Sequence, residues 1–319
     1  MMASEKSPDY YLQALIKANQ SNSKQTLFHR VEHGGFGAIT SRLMTGLNIS
    51  LALDSNYSFL IDSPYAVEGM FDIGVKQPIE VAQHQEIIEW NFLRDTWNAP
   101  PQIKADHQYP ACPIEAGADL SRHQWCAVLA KAICGIPSAF LKAEIERLKN
   151  AIHWDKYDLH IGLHIRRGDK NTECPYIPTE AYLFQIQKLL QANPGKKVLV
   201  FLSSDDPEAL GHVRAGLNGV DVAWDETEAR YNNFNAGMVA SNPALAQQES
   251  ATAAKNISLL GDCDYVIGMS HAQFTWLGGL LAVFNHQLDA SRHIMLDPHT
   301  GQRGHWAAFY GFPLQTLLL

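Results

Sequence analysis

The chain has little cysteine, no long apolar run and no surplus of positive charge, and each shortage excludes a class of protein. Its five cysteines, Cys112, Cys126, Cys134, Cys174 and Cys263, match no zinc-ligand spacing. An odd, sparse set argues against a disulfide framework and for reduced thiols in the cytoplasm, with Cys112 and Cys126 the one pairing left open. Net charge is -8, so the broad basic surface of a protein that coats nucleic acid is missing. A local cationic cluster can still hold an anionic small ligand. The longest candidates for a membrane span, Tyr265–Met269 and Leu277–Phe284, fall far short of the ~20 residues needed. Met1–Asp9 is polar and lacks the apolar segment of a signal peptide. Contact with a membrane is therefore expected to be peripheral at most. HExxH, a Walker lysine motif and GxSxG are absent as well. Asp262–Asp264 (DCD) has the form of a metal-binding DxD but precedes a strand instead of leaving one, so no metal is expected.

What is present is a globular composition, 46% hydrophobic and 18% charged, in 319 residues. That length suits two domains, with the division placed at residues 155/156. The most informative stretch is Asp158–Lys170, DLHIGLHIRRGDK. Ile161–Ile165 is short, apolar and partly β-branched, the pattern of a buried strand. Arg166, Arg167, Asp169 and Lys170 follow at once around Gly168. Such charges are costly inside a fold unless paired or bound to a ligand, which places them where the strand leaves its sheet. In open α/β sheets that carboxyl edge is where ligands bind. The plain alternative is a solvated turn.

Other segments repeat this layout. Leu27–Val31 reads as a strand running into Gly34, Gly35, Phe36 and Gly37, followed by helical spacing at Ile39, Leu43, Leu47 and Leu51. Strand, glycine loop and helix together expose backbone N–H groups that can hold an anion, although a tight turn would look the same. Tyr57–Asp62 reads as a second parallel strand, and His84–Trp97 is core-like without a period. Helices are expected over Leu120–Ile133 and, capped by Ser138, over Ala139–Ile152. Further on, Thr179–Leu190 reads as helix, Val198–Leu202 as a buried strand and Val220–Ala223 as a short one. Asp206 with Pro207 fits a helix start that leaves Asp205 facing the crevice. Glu226–Pro243 reads as a long loop and Glu249–Leu260 as a helix. Tyr265–Gly268 reads as a strand whose exit carries Ser270 and His271 at the next helix start. The tail after Asp297 is expected to wrap the surface or return to the first domain.

Ligand-like residues therefore follow three strands of the second half: Arg166 to Lys170, Asp205, and Ser270 with His271. Paired arginines, Arg166 and Arg167, suit a diphosphate, because each guanidinium fork matches two oxygens. A carboxylate among Asp169, Glu173 and Asp205 could take a proton from an incoming hydroxyl.

HIRRGDK at His164–Lys170 resembles the H-x-R-R-x-D signature of the fucosyltransferase superfamily, which makes α1,2 and α1,6 linkages and includes the protein O-fucosyltransferases. The likeness is nearest to the α1,6 core-type and Nod-factor branch. Pro178–Tyr182 (PTEAY) is similar to the helix after that family's first motif, and Ser203–Leu210 (SSDDPEAL) to its second. Leu260–Trp276 is similar to its third and His33–Leu43 (HGGFGAITSRL) to its glycine-rich N-terminal loop. The resemblance implies a GT-B-like α/β fold of two Rossmann-like domains, with the nucleotide site mainly in residues 156–319 and the acceptor side in residues 1–155. It implies inverting, metal-independent transfer of fucose from GDP-fucose, without a cofactor, to a glycan, glycolipid or protein hydroxyl. By the same resemblance Arg166 binds the diphosphate, His164 and Gly34 to Gly37 line the donor site, and Ser270 reaches the β-phosphate. Asp205 or Asp225 would read the guanine, and Glu173, or failing it Asp169, would be the base. The chain departs from the third motif, which often has two adjacent serines where Ser270 and His271 stand here. Competing readings are a transferase for another nucleotide sugar, and a non-catalytic nucleotide- or sugar-binding protein of the same fold.

Overall fold

The computed structural model describes residues 6–20, 25–32, 34–76, 86–91, 112–168, 170, 174–230, 239, 241–297 and 315–316. Asp169 and Glu173 lie outside them, as does most of the asparagine-rich stretch before Pro243. Two parallel sheets organise the chain. In the first, β1 (Gln25–Glu32) lies between β2 (Asn56–Asp62) and β3 (Glu86–Asn91). The second carries β4 (Leu159–Ile165), β5 (Val198–Ser204), β6 (Asp221–Ala223), β7 (Tyr265–Met269), β8 (His293–Asp297) and β9 (Gln315–Thr316). Its order is β6-β5-β4-β7-β8-β9, parallel throughout. This doubly wound order reverses between β4 and β7, and the crevice at such a switch point is where open α/β sheets bind ligands.

The helices are α1 (Pro8–Asn19), α2 (Phe36–Ala52), α3 (Arg122–Cys134), α4 (Ala139–Ala151), α5 (Thr179–Ala192), α6 (Ala209–Gly216), α7 (Pro243–Gly261) and α8 (Gln273–Asn285), with a single helical turn at Val67–Met70. Alternation along the strands sorts them into layers. Leu159, Ile161, Leu163 and Ile165 of β4, with Val198, Val200 and Leu202 of β5, bury one sheet face under α5 and α6 through Tyr182, Ile186 and Val213. Leu199, Phe201 and Val266 point the other way and join a core that continues through α7, α8, α3 and α4 into the first sheet. The helical layer between the sheets is therefore common to both halves of the chain. Polar bonds bind it further: Trp125 Nε1 donates to Asn48 Oδ1 at 2.7 Å, and His123 Nε2 meets His293 Nδ1 at 3.1 Å. Burial of this apolar layer is the main stabilising term, at roughly 25 cal/mol per Å² of area removed from water.

Several elements differ from their sequence expectation. His84–Trp97, read as core-like without a period, contains the third strand of the first sheet, Glu86–Asn91. The helix expected over Glu249–Leu260 starts at Pro243, where Asn242 caps it by accepting from Leu245 N and proline occupies the first position. Asp206 does not cap α6 but accepts from Glu208 N at 2.9 Å, closing a turn that ends on the helix-capping residue, Glu208. α8 starts at Gln273, so Ser270 and His271 form a turn instead of a helix start. Gln315–Thr316 of the tail pairs with β8 at the edge of the second sheet and does not return to the first. All five cysteines are free, so Cys112 and Cys126 are not joined. No helix among the described residues is long and apolar enough to cross a membrane.

Candidate active site

β1 and β7 each exit at a carboxyl edge into a loop that starts a helix, and the two helix starts meet. Ser41 Oγ of α2 donates to Gln273 Oε1 of α8 at 2.6 Å. A β-carbon on Gly37 would lie 2.8 Å from Gln273 Cβ and 3.1 Å from Phe274, so this close approach requires glycine. Gly34 turns the chain with φ +100° against the Arg42 guanidinium, whose Nη1 donates to Glu32 O at 2.8 Å. Neither Gly35 before α2 nor Ala272 before α8 supplies a side-chain cap. Two helix N-termini, each a source of partial positive charge, thus converge without side-chain caps. Phe36, expected to line the donor site with the glycines, is buried in the core, its ring 6.1 Å from that of Phe71.

Arg166 enters from the end of β4. Its guanidinium pairs with the Asp205 carboxylate at the end of neighbouring β5, and Asp205 Oδ1 also accepts from Arg167 N at 2.7 Å. Gly168, at φ +53°, makes room: a β-carbon there would stand 2.7 Å from Asp205 Oδ2. Asp205 was expected to face the crevice free; it is instead engaged in orienting Arg166. Arg167 points elsewhere. Its guanidinium donates to Ile177 O at 2.7 Å and lies over the Tyr176 ring, tying down the segment before α5. The two arginines therefore do not form one paired fork.

His164, the last inward residue of β4 before Ile165, is buried. Its Nδ1 lies 2.8 Å from Thr275 Oγ1, and its ring stacks on Phe274 at 5.6 Å. Burial, then the nearby Arg166 and Lys170 charges, push its pKa down to about 3, so it is neutral at ordinary pH. Thr275 reaches it only because Gly268, the register partner of His164 on β7, has no side chain. Ser270 is buried beside this group, its Oγ 3.0 Å from His271 Nδ1. Trp276 Nε1 donates to Ser270 O and fixes the turn.

Asp225 is not brought to this group. It follows β6 and is 2% exposed, held by Lys255 of α7, by Arg147 Nη2 of α4 at 2.9 Å and by the Thr227 hydroxyl at 2.6 Å. Burial alone would raise its pKa, but Lys255 and the Thr227 bonds hold it well below the usual carboxylate range. Glu228 sits 3.0 Å from the same ammonium and accepts from Asn256 Nδ2 at 3.0 Å. Asp225 belongs to a buried ionic knot that fastens α4 and α7 to the loop after β6. The structure also brings in residues the sequence did not single out: Arg42, Gln273, Phe274 and Thr275. Arg42 lies within His33–Leu43 and Gln273, Phe274 and Thr275 within Leu260–Trp276, but nothing in spacing marks which residues of those stretches turn inward. No group of three or more histidine, cysteine, aspartate or glutamate side chains that could hold a metal ion occurs among the described residues.

Facing carboxyl edges of two parallel α/β units, with a cation at the switch point of one, make this a GT-B-like fold. Among solved structures, Arabidopsis thaliana FUT1, as a variant in complex with GDP, overlays with a TM-score of 0.51 over 85% of this chain and 72% of its own, at 11% identity. POFUT1 in complex with GDP-fucose gives 0.48 over 89% and 100%, at 12% identity. Fucosyltransferase NodZ from Bradyrhizobium gives 0.46 over 82% and 94%, at 16% identity. At these identities the likeness is one of fold. No family model and no curated protein sequence matches the chain.

Proposed function

We propose that the protein is an inverting, metal-independent glycosyltransferase that moves fucose from GDP-fucose to a hydroxyl of a glycan, glycolipid or protein, in the cytoplasm. The observation that carries this reading is Arg166, held by Asp205 at the β4/β7 switch point, opposite the converging starts of α2 and α8. A guanidinium there can bind a diphosphate and stabilise the charge that grows on it as the sugar bond breaks. The helix starts add fixed partial positive charge without any reorganisation during the reaction. Neutral His164 beneath Arg166 avoids a second buried charge and leaves hydrogen bonding as its role. The plant FUT1 structure of like fold contains GDP, which agrees with a guanosine diphosphate donor. Asp225, consumed in its ionic knot, is a poor guanine reader on this geometry, and Asp205 serves Arg166.

Calorimetry against GDP, UDP and ADP in EDTA-containing buffer tests the reading. Binding of GDP alone supports a GDP-sugar donor and metal independence together, and GDP-fucose turnover then separates fucose from other sugars. Arg166→Ala should lose GDP binding and transfer while its circular dichroism stays unchanged. Transfer at the wild-type rate in that variant would remove Arg166 from the site. No binding of any diphosphate would restrict the likeness to fold.

A further inference from the structure

We propose that the groove between α4 and α7 is a binding site for a neutral saccharide, separate from the crevice that Arg166 enters and independent of the transfer reading above. Between the two helices lies a cavity of about 400 Å³, within the roughly 300–1,000 Å³ typical of small-molecule sites. One wall is Phe140, Glu144 and Arg147, spaced four and three residues apart and so on one face of α4. The other is Gln247, Gln248 and Thr252 of α7, where the small Ala244 and Ala251 leave the space unfilled. Thr227 and Glu228 close it from the loop after β6. Arg166, Asp205, His164 and Ser270 take no part in its lining.

The chemistry of the lining selects the ligand. The side chains of Lys255 and Glu228 are each 6% exposed and pair at 3.0 Å, and Arg147 Nε donates to Glu144 Oε2 at 3.1 Å. The charges that line the cavity, Glu144, Arg147, Glu228 and Lys255, therefore cancel. An anion would be set against Glu144 and Glu228, and a cation against Arg147 and Lys255, so neither recovers its cost of desolvation. A hydroxyl both donates and accepts, and so suits carboxylate, amide and guanidinium alike. Phe140 is 54% exposed. The apolar C–H face of a sugar ring laid on it takes that area out of water. A neutral saccharide offers both features, hydroxyls around its rim and an apolar face.

Both walls are held in place by the rest of the fold. At the start of α4, Ser138 N donates to Met70 O at 2.8 Å, and Ala66 N donates to Ser250 Oγ of α7 at 2.9 Å. The segment after β2 thus fastens the two helices, and Asp225 ties Arg147 to Lys255 across them. A polar groove built on rigid helices loses little freedom when a ligand enters.

The test applies the full chain to a printed array of neutral and anionic glycans and measures the best-bound glycan by calorimetry, with Phe140→Ala, Phe140→Tyr, Gln248→Ala and Arg166→Ala beside the wild type. Phe140 and Gln248 are exposed, so their variants should melt as the wild type does. The wild type should bind neutral glycans in preference to anionic ones. Phe140→Ala and Gln248→Ala should each weaken that binding about tenfold or more, whereas Phe140→Tyr, which keeps the ring, and Arg166→Ala should retain it. Absence of glycan binding in the wild type, or a preference for anionic glycans, overturns the proposal. So does loss of binding in Arg166→Ala with Phe140→Ala unchanged, which would place the glycan in the crevice of the transfer site.

Discussion

Four buried histidines among the described residues make the fold sensitive to mild acid. His29, His123, His164 and His293 are each under 5% exposed. Burial pushes His29 and His164 down to about 3 and His123 to about 4, and holds His293 well below its ordinary value. The unfolded chain takes up protons on these rings below pH ~6.5, whereas the folded chain does not. Unfolding therefore binds protons, and stability is full above pH ~6.5 and is lost as pH falls toward the folded values of about 3 to 4. Between pH 7.5 and 5 each such ring costs about 2 kcal/mol, so His29, His123 and His164 together cost about 6 kcal/mol. That is comparable with the 5–15 kcal/mol typical of whole domains, roughly speaking. The depressed carboxylates, Asp225, Asp264 and Asp289, respond only at lower pH, below the ~3.9 of a free aspartate, whereas Glu249, raised by burial and by Glu228, acts in the opposite direction. Urea unfolding followed by tryptophan fluorescence at pH 7.5 and 5 measures the difference, and His164→Gln should reduce it by about one histidine's share. A loss below about 1 kcal/mol over this range would refute the reasoning.

Three further outcomes follow from the geometry. Gly268→Ala places a β-carbon 2.2 Å from Thr275 Oγ1, so it should cost roughly 1–3 kcal/mol of stability and weaken GDP binding as Thr275 leaves His164; an unchanged melt with full GDP affinity would show that the contact does not matter. Lys255→Met removes the ammonium that Asp225 and Glu228 share, leaving Arg147 and Arg230 as their cations among the described residues, and denaturation should show a loss of up to roughly 3–5 kcal/mol; full stability would mean the knot is solvated. Arg167→Ala should loosen the segment before α5 and lower the melting temperature, with GDP affinity reduced much less than in Arg166→Ala; equal loss of affinity in the two variants would return Arg167 to the donor site.

Much of the fold was legible because local rules and tertiary demands agree. The apolar runs at Ile161–Ile165 and Val198–Leu202 are strands with no exposed face to spoil the pattern. Ser138 caps α4 through its bond to Leu141 N, as its position before Ala139 suggested. The start of α7 was hidden because Asn242–Pro243 ended an asparagine-rich stretch read as loop. The site was legible as three strand exits bearing charge or hydroxyl, since a charged run straight after a buried strand has few places to go.

Order along the chain determined that Arg166, Asp205 and Ser270 leave parallel strands at one edge, and that a glycine loop precedes α2. Tertiary structure alone decided which of them cooperate. Register set His164 opposite Gly268 and so under Thr275. Side-chain direction sent Arg166 to Asp205 and Arg167 to Ile177, although the two are adjacent and chemically alike. Partner choice removed Asp225 from the crevice, because a buried charge is tolerated only where the fold supplies its counter-charge. Such pairings join residues far apart in sequence, and no local spacing encodes them.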